Sequence, residues 1–255
     1  MCSSDLLEAV CLGGVLYLTS SDARSATGHD RPAAIRRFGA AARVHPASWE
    51  LALRLQLGVV AQTAWSQGRG MRPVFSFSEG RTFRSAVRVE RRPAPGEESQ
   101  LGLIAHCHRC GDQQVQSLLR FRGWDACLCG ERRGLAMSGP LWIGALQDPG
   151  ELESIGNEAT NSPVSLAPAT KRLLERLQAD PGHPARCWPT DAIARQIGAG
   201  PPPLLSLVEA LEAAGHQAFA SGLMAGQVRS DAPWPVVLAI ARGLCSPEVG
   251  SHDSR

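Results

Sequence analysis

Lysine is almost missing from this chain of 255 residues: Lys171 is the only one among 26 basic side chains. Nearly all the positive charge is therefore guanidinium, which forks onto phosphate and stacks on bases, so an RNA-facing surface suits this composition. A GC-rich genome would enrich arginine in the same way. Long apolar runs are missing as well. The longest, near Leu12 to Leu18 and Pro235 to Ala241, fall well below the roughly 18 residues a membrane-spanning helix needs. Asp5 and Glu8 stand where a secretory signal would be basic, which argues against secretion and for the cytoplasm. A G-x-G-x-x-G phosphate turn occurs nowhere, and Gly13-Gly14 precedes the nearest strand-like run instead of following it. Cys2, Cys11, Cys187 and Cys245 have no neighbouring cysteine, a pattern that fits a reducing compartment better than a disulfide scaffold.

What is present is unevenly spread. The net charge is only +2, yet residues 1–92 carry 13 Arg against 7 acids, while residues 151–255 carry 8 basic against 11 acidic side chains. The basic surface belongs to the first third. With 44% hydrophobic residues the chain can bury real cores, and its length suggests about two domains.

Half of the eight cysteines lie between His106 and Gly130. Cys107 and Cys110 form a C-x-x-C pair, and after 16 intervening residues Cys127 and Cys129 form a tighter C-x-C pair. Tetrahedral Zn2+ needs four soft ligands from a small volume, and two cysteine pairs on two turns supply them. The intervening VQSLLRF predicts a strand, so the stretch reads as a small, structural zinc ribbon. His106 and His108 are substitute ligands if the second pair cannot both reach.

In chain order, the pattern predicts a helix start at Ser4 or Asp5 and then VLYLT, a continuous apolar strand of the kind buried on both faces of a parallel sheet. The strand ends in Thr19-Ser20-Ser21-Asp22, small polar groups at the carboxyl end, where open α/β sheets bind ligands. Helices follow over Pro32 to Phe38 and from Pro46 to about Gly68. Then two strands, Pro73 to Phe77 and Thr82 to Val89, make an antiparallel hairpin. Pro93 to Gln100 and Ser154 to Pro168 read as linkers, and SGPLWIGALQDPGE as an irregular stretch. From Pro168 to Leu244 the pattern predicts three helices, a wing between His216 and Gln227, and a closing helix. The third of the three bears Glu209 and Glu212 and no basic residue, which disfavours reading a DNA groove.

Several pieces, in one order, resemble the tRNA (guanine(26)-N(2))-dimethyltransferase family. They are GGVLYLTSSD (Gly13 to Asp22), HPASWELALRLQLG (His45 to Gly58), PVFSFSEGRTFRSAVRV (Pro73 to Val89), the cysteine ribbon, GPLWIGAL (Gly139 to Leu146) and VRSDAP (Val228 to Pro233). The resemblance implies methylation of the exocyclic amino nitrogen of guanine 26 in tRNA, with S-adenosyl-L-methionine as donor. It also implies tRNA contacts at Thr19, Asp22, Glu50, Arg54 and Arg84. The family's catalytic aspartate belongs to an Asp-Pro-Phe-Gly motif just ahead of the segment matched here. That aspartate is therefore expected upstream of Met1, and no catalytic residue is expected in this chain.

The expected fold is thus α/β. Residues 1–92 form the C-terminal part of a Rossmann-like methyltransferase sheet, 101–150 the zinc ribbon with the GPLW segment, and 165–245 an α+β, winged-helix-like tRNA-binding unit. The chain reads as the rear part of such an enzyme, lacking the donor pocket, whether through truncation or because a separate N-terminal half completes it. The alternative is a non-catalytic zinc-ribbon RNA-binding protein. Read from the residues alone, Asp22 is first a helix cap, and Glu50 with Arg54 an exposed pair one helical turn apart.

Overall fold

The computed structural model of the chain describes residues 7–131, 134–163 and 165–245. Among these, groups of strands and groups of helices follow one another along an α/β chain, and the named strands form three three-stranded antiparallel sheets. The first sheet holds β1 (Val15–Ser20), β2 (Gly70–Glu79) and β3 (Thr82–Glu90) in the order β1-β3-β2. The hairpin of β2 and β3 is the one expected. β1 departs from expectation: it is an edge strand antiparallel to β3, with Val15 opposite Arg88 and Ser20 opposite Phe83. Only Leu16 and Leu18 turn inward, while Val15, Tyr17 and Thr19 face out and Tyr17 is 50% exposed. An apolar run whose large residues alternate satisfies one buried face as well as two. Because β3 is reversed between its neighbours, β1 and β2 run in the same direction.

Two short helices, α1 (Ala23–Ala26) and α2 (Arg31–Phe38), follow β1. Asp30 caps α2 by accepting from the Ala33 amide at 3.0 Å, Pro32 sits in its first turn, and Gly39 ends it in the left-handed conformation. The long helix α3 (Ser48–Ser66) is the centre of the molecule. It buries Leu53, Leu57, Val60 and Ala64 against Phe83, Val87 and Val89 of the first sheet, and Leu51 and Leu55 against Ile104 and Leu141. Burial on two sides explains why its sequence is apolar almost all round. Gly58 marks the closest approach: a Cβ there would stand 2.9 Å from the Leu141 Cα.

The second sheet, in the order β5-β4-β6, holds β4 (Leu101–His106), β5 (Gln113–Ser117) and β6 (Ala136–Trp142). The GPLW segment, expected to be irregular, is therefore a paired strand beside β4, with Trp142 opposite Leu101. Only the first half of the expected ribbon strand is extended; Leu118–Arg120 is a 3-10 turn. The linker before β4 is also fastened. Glu97 accepts from the Trp65 indole at 2.7 Å, the Met71 amide at 3.0 Å and the Ala94 amide at 2.8 Å. Most of the expected second linker is helix α4 (Pro149–Asn161), capped by Asp148. The helix expected from Ser4 lies partly outside the described residues; Leu7 to Ala9 are helical. Met1, upstream of which the catalytic aspartate is expected, also lies outside them.

The last part comprises α5 (Pro168–Ala179), β7 (Cys187–Pro189), α6 (Thr190–Ile197), α7 (Leu204–Ala213), β8 (Ala218–Ala220), β9 (Gln227–Ser230) and α8 (Trp234–Cys245). Its strands pair in the order β7-β9-β8. Its own core gathers Trp188, Ile193, Leu207, Leu211, Val228, Trp234 and Val237, with Trp188 and Trp234 stacked at 5.1 Å. No helix among the described residues is long and apolar enough to cross a membrane.

Candidate functional site

The four ribbon cysteines converge. β4 delivers Cys107 into a tight knuckle in which the Gly111 amide donates to the Cys107 carbonyl and the Cys107 amide to the Asp112 carbonyl, both at 2.9 Å. Gly111 has φ +83°, a conformation that favours glycine. The second knuckle closes with the Gly130 amide on the Cys127 carbonyl at 3.0 Å. The Sγ atoms stand 3.6 Å apart for Cys107 and Cys129, and 3.3 Å apart for both Cys110 to Cys127 and Cys127 to Cys129. All four lie within 4.8 Å of one another, and none is in a disulfide.

Sulfurs on a tetrahedron of Zn–S bonds about 2.3 Å long are separated by roughly 3.8 Å, so the donor set and its spacing fit Zn2+. Burial raises the Cys110 thiol and pushes Cys127 up to about 11, whereas a hydrogen bond from Cys127 lowers Cys129. A bound cation would override these preferences and hold all four as thiolates. The histidines are not among the converging ligands: His106 Nε2 faces His108 Nδ1 at 3.2 Å, and the His106 ring packs edge-on to His45.

The last unit grips the first knuckle. The Trp234 indole donates to the Cys110 carbonyl at 2.8 Å, the Trp188 indole to the Gly111 carbonyl at 2.9 Å and the Gln196 amide to the Arg109 carbonyl at 3.0 Å. Gln113 binds the Cys187 backbone through both ends of its amide, at 2.7 and 3.1 Å. A metal at the four sulfurs would thus stiffen a junction as well as a loop.

Glu50 and Arg54 are not exposed. Their exposures are 3% and 0%, so neither presents an atom to a macromolecular ligand, and the tRNA contact the resemblance implies for them is corrected here. They form one end of a buried charge network. Arg54 Nε donates to Glu50 Oε1 at 2.8 Å, and its other nitrogens cap the carbonyls of Trp142 at 3.1 Å, Gly144 at 3.0 Å and Gly182 at 2.5 Å. From β9, Arg229 forks onto Glu50 at 2.7 and 2.9 Å and onto Asp180 at 2.8 and 3.1 Å. Burial alone would raise the Glu50 carboxyl; Arg229 and Arg54 overcome it and hold the group down at about 2. Glu50 and Asp180 likewise outweigh burial at Arg229 and raise it further. Sequence reasoning misses Arg229 and Asp180 as partners because they lie far from Glu50 along the chain.

The other candidates share one region. Thr19 is exposed at the end of β1 and pairs in register with Arg84 of β3. Arg84 donates to the Tyr17 hydroxyl and to Glu79, each at 3.3 Å. Asp22 just beyond caps α1 through the Ser25 amide at 3.3 Å and pairs with Arg37. Burial works to raise the Asp22 carboxyl, but the Ser25 bonds and Arg37 bring it below its ordinary value. On the same strand as Arg84, Arg88 is held by a bidentate pair with Glu151, both contacts 2.7 Å.

These surfaces can be set beside known proteins. The sequence profile of the family described as "TRM: N2,N2-dimethylguanosine tRNA methyltransferase" matches residues 4–242. The chain belongs to this family. Among curated relatives, the tRNA (guanine(26)-N(2))-dimethyltransferase of Methanocorpusculum labreanum is 27% identical over 87% of this chain and 59% of its own length. That of Aeropyrum pernix is 29% identical over 89% of this chain and 56% of its own. The chain thus spans a little over half the length of these relatives. The fold is similar to that of Trm1 from Pyrococcus horikoshii, solved in complex with S-adenosyl-L-methionine, with TM-score 0.77 and 21% identity over 93% of this chain and 62% of that one.

At the carboxyl end of β1 the described residues form no glycine-rich turn of the kind that holds a nucleotide cofactor. Beyond the carboxyl end of β1 stand Ser21 and Asp22, and Asp22 is engaged by Ser25 and Arg37. The nearest glycine pair, Gly13 and Gly14, lies at the opposite end of that strand.

Proposed function

We propose that this chain is the rear portion of an S-adenosylmethionine-dependent tRNA guanine-N2 methyltransferase, the family that makes dimethylguanosine at position 26. In this reading it supplies the end of a Rossmann-like sheet, a Zn2+-binding ribbon and a tRNA-binding C-terminal unit. The methyl donor and the catalytic aspartate are held by an N-terminal portion ahead of Met1, on the same or a separate polypeptide. The observation that carries the reading is the profile match across residues 4–242 together with four cysteine sulfurs gathered within 4.8 Å.

Each part has its own support. β1 stands at the edge of its sheet, so a further strand could add there, and the exposed Val15 and Tyr17 leave one face of β1 for a further element to cover. The order α5, β7, α6, α7, β8, β9 follows the helix and strand succession of a winged helix. Thr19, Asp22 and Arg84 form the tRNA-facing group on the first sheet; Arg84 supplies the positive charge and Thr19 a hydroxyl. Cys107, Cys110, Cys127 and Cys129 would hold the zinc, whose contribution is to join two knuckles that a short loop cannot hold closed by packing alone. Free thiols at all described cysteines suit work in the cytoplasm.

The test is binding of the purified, zinc-loaded chain to a tRNA transcript across a salt series. The reading expects saturable binding that weakens with salt. Failure to bind tRNA at low salt would refute it.

A further inference from the structure

Between the two cysteine knuckles the chain runs out into an exposed arch, Leu118 to Trp124, that none of the roles above uses. It is built to hold its shape. Gln114 donates to the Asp125 carbonyl at 2.9 Å and accepts from the Asp125 amide at 3.0 Å, while the Gln116 amide donates to the Gly123 carbonyl at 2.6 Å. A 3-10 turn over Leu118–Arg120 forms the rising side. At the crest Phe121 meets Trp124 in a T-shaped contact, centroids 5.2 Å apart. Phe121 remains 38% exposed and Leu119 64%.

An apolar crest on a soluble chain asks for an occupant. The flanking charge says which. Arg120 and Arg122 stand one residue to either side of Phe121, and among the described residues neither guanidinium makes a hydrogen bond or an ion pair. From residue 106 to 134 the sequence holds five arginines and three acids. An apolar groove alone would leave the two cations beside the ring unmatched, so the occupant must bring negative charge next to its flat apolar surface. A nucleic acid uses both features at once, since a base stacks on the aromatic ring while its flanking phosphates take the guanidiniums. A duplex offers no free base face, so the fitting ligand is an unpaired nucleotide.

We infer that the Leu118–Trp124 arch is a stacking platform for an unpaired nucleotide of the RNA substrate, with Phe121 and Trp124 taking the base and Arg120 and Arg122 its phosphates. The inference rests on the tRNA reading above and adds to it the point where a loop or end of the tRNA is held.

The experiment measures affinity of the full zinc-loaded chain for a fluorescently labelled tRNA transcript and for a short unstructured RNA oligonucleotide. Phe121→Ala should weaken both by about tenfold or more, and Phe121→Trp should keep them. Arg120→Gln with Arg122→Gln, which removes no packing, should flatten the salt dependence by roughly 0.7 of a logarithmic unit per arginine; this pair carries the test if Phe121→Ala lowers the thermal midpoint. Wild-type binding to tRNA with unchanged affinity and salt slope in these variants overturns the platform and leaves the tRNA reading intact. Phe121-dependent binding to the oligonucleotide without any binding to tRNA supports the platform and overturns that reading. A change of oligomeric state in Phe121→Ala with RNA affinity unaltered makes the arch a protein contact and overturns the inference.

Discussion

Arg229 and Glu50, 179 positions apart in sequence, face each other as a bidentate ion pair with contacts of 2.7 and 2.9 Å. Both are buried, and Arg54 and Asp180 complete the network. It ties α3 of the first unit to β9 of the last and, through the backbone carbonyls Arg54 caps, to the end of β6 and the segment after it. Removing one partner leaves a buried charge uncompensated, which costs several kcal/mol. Arg229→Met should therefore lower unfolding free energy by about 3–5 kcal/mol, read by urea denaturation. A loss within the usual range of surface substitutions, about 0.5 kcal/mol, would show that the network adds nothing to cohesion.

The same pair sets an acid limit. The Glu50 carboxyl is depressed in the folded chain to about 2 from an ordinary value of 4.5. Its contribution is thus fully present above about 4.5 and is lost as pH falls toward 2. Replacement by Gln should flatten the stability profile there by up to about 1.4 kcal/mol per pH unit. Burial lowers His45 to about 4 from 6.5 against the opposing pull of Glu50; Glu50→Gln removes that pull and lowers His45 further, an effect felt mainly above pH 4, so the Glu50 contribution is read in the lower part of the window. Parallel profiles for wild type and Glu50→Gln between pH 4.5 and 2 would contradict the assignment.

How much of this is legible in the sequence depends on the range of the interaction. The cysteine pairs and the β2–β3 hairpin are local patterns, and the structure has them where the spacing puts them. Glu50 and Arg54 sit one helical turn apart, as their spacing implies. Their burial is not legible, because the residues that make it tolerable, Arg229 and Asp180, come from distant segments that leave no local mark. β1 shows the same limit from the other side: alternation in VLYLT is compatible with an edge or a centre, and only pairing decides. The GPLW stretch misleads because Gly and Pro signal irregularity locally, while β4 supplies a partner that overrides them.

The ribbon predicts a stoichiometry. Elemental analysis should find one zinc per chain by this account, and Cys107→Ser should abolish it, since Cys107 is the buried ligand. A chelator should lower the thermal midpoint and loosen the contacts that Trp188 and Trp234 make with the first knuckle, read as a change in tryptophan emission. Metal content surviving in Cys107→Ser would point away from this four-sulfur site.

On the first sheet, Arg84 is bonded among the described residues only to Tyr17 and Glu79, both at 3.3 Å and at the surface, so it can be exchanged without harm to the core. Arg84→Gln should weaken tRNA binding and reduce the salt slope by roughly 0.7 to 0.9, with the thermal midpoint unchanged. Asp22→Ala is expected to cost about 1 kcal/mol as a lost cap whatever its effect on RNA. An Arg84→Gln chain that binds tRNA like wild type would remove this sheet face from the interface.

On the proposed reading these residues hold the RNA while a further portion of the enzyme holds the methyl donor. Calorimetric titration of the purified, zinc-loaded chain with S-adenosylmethionine tests it most directly. The account predicts no saturable heat from a preparation that binds tRNA. Saturation at one donor per chain, followed by methyl transfer to tRNA, would contradict it.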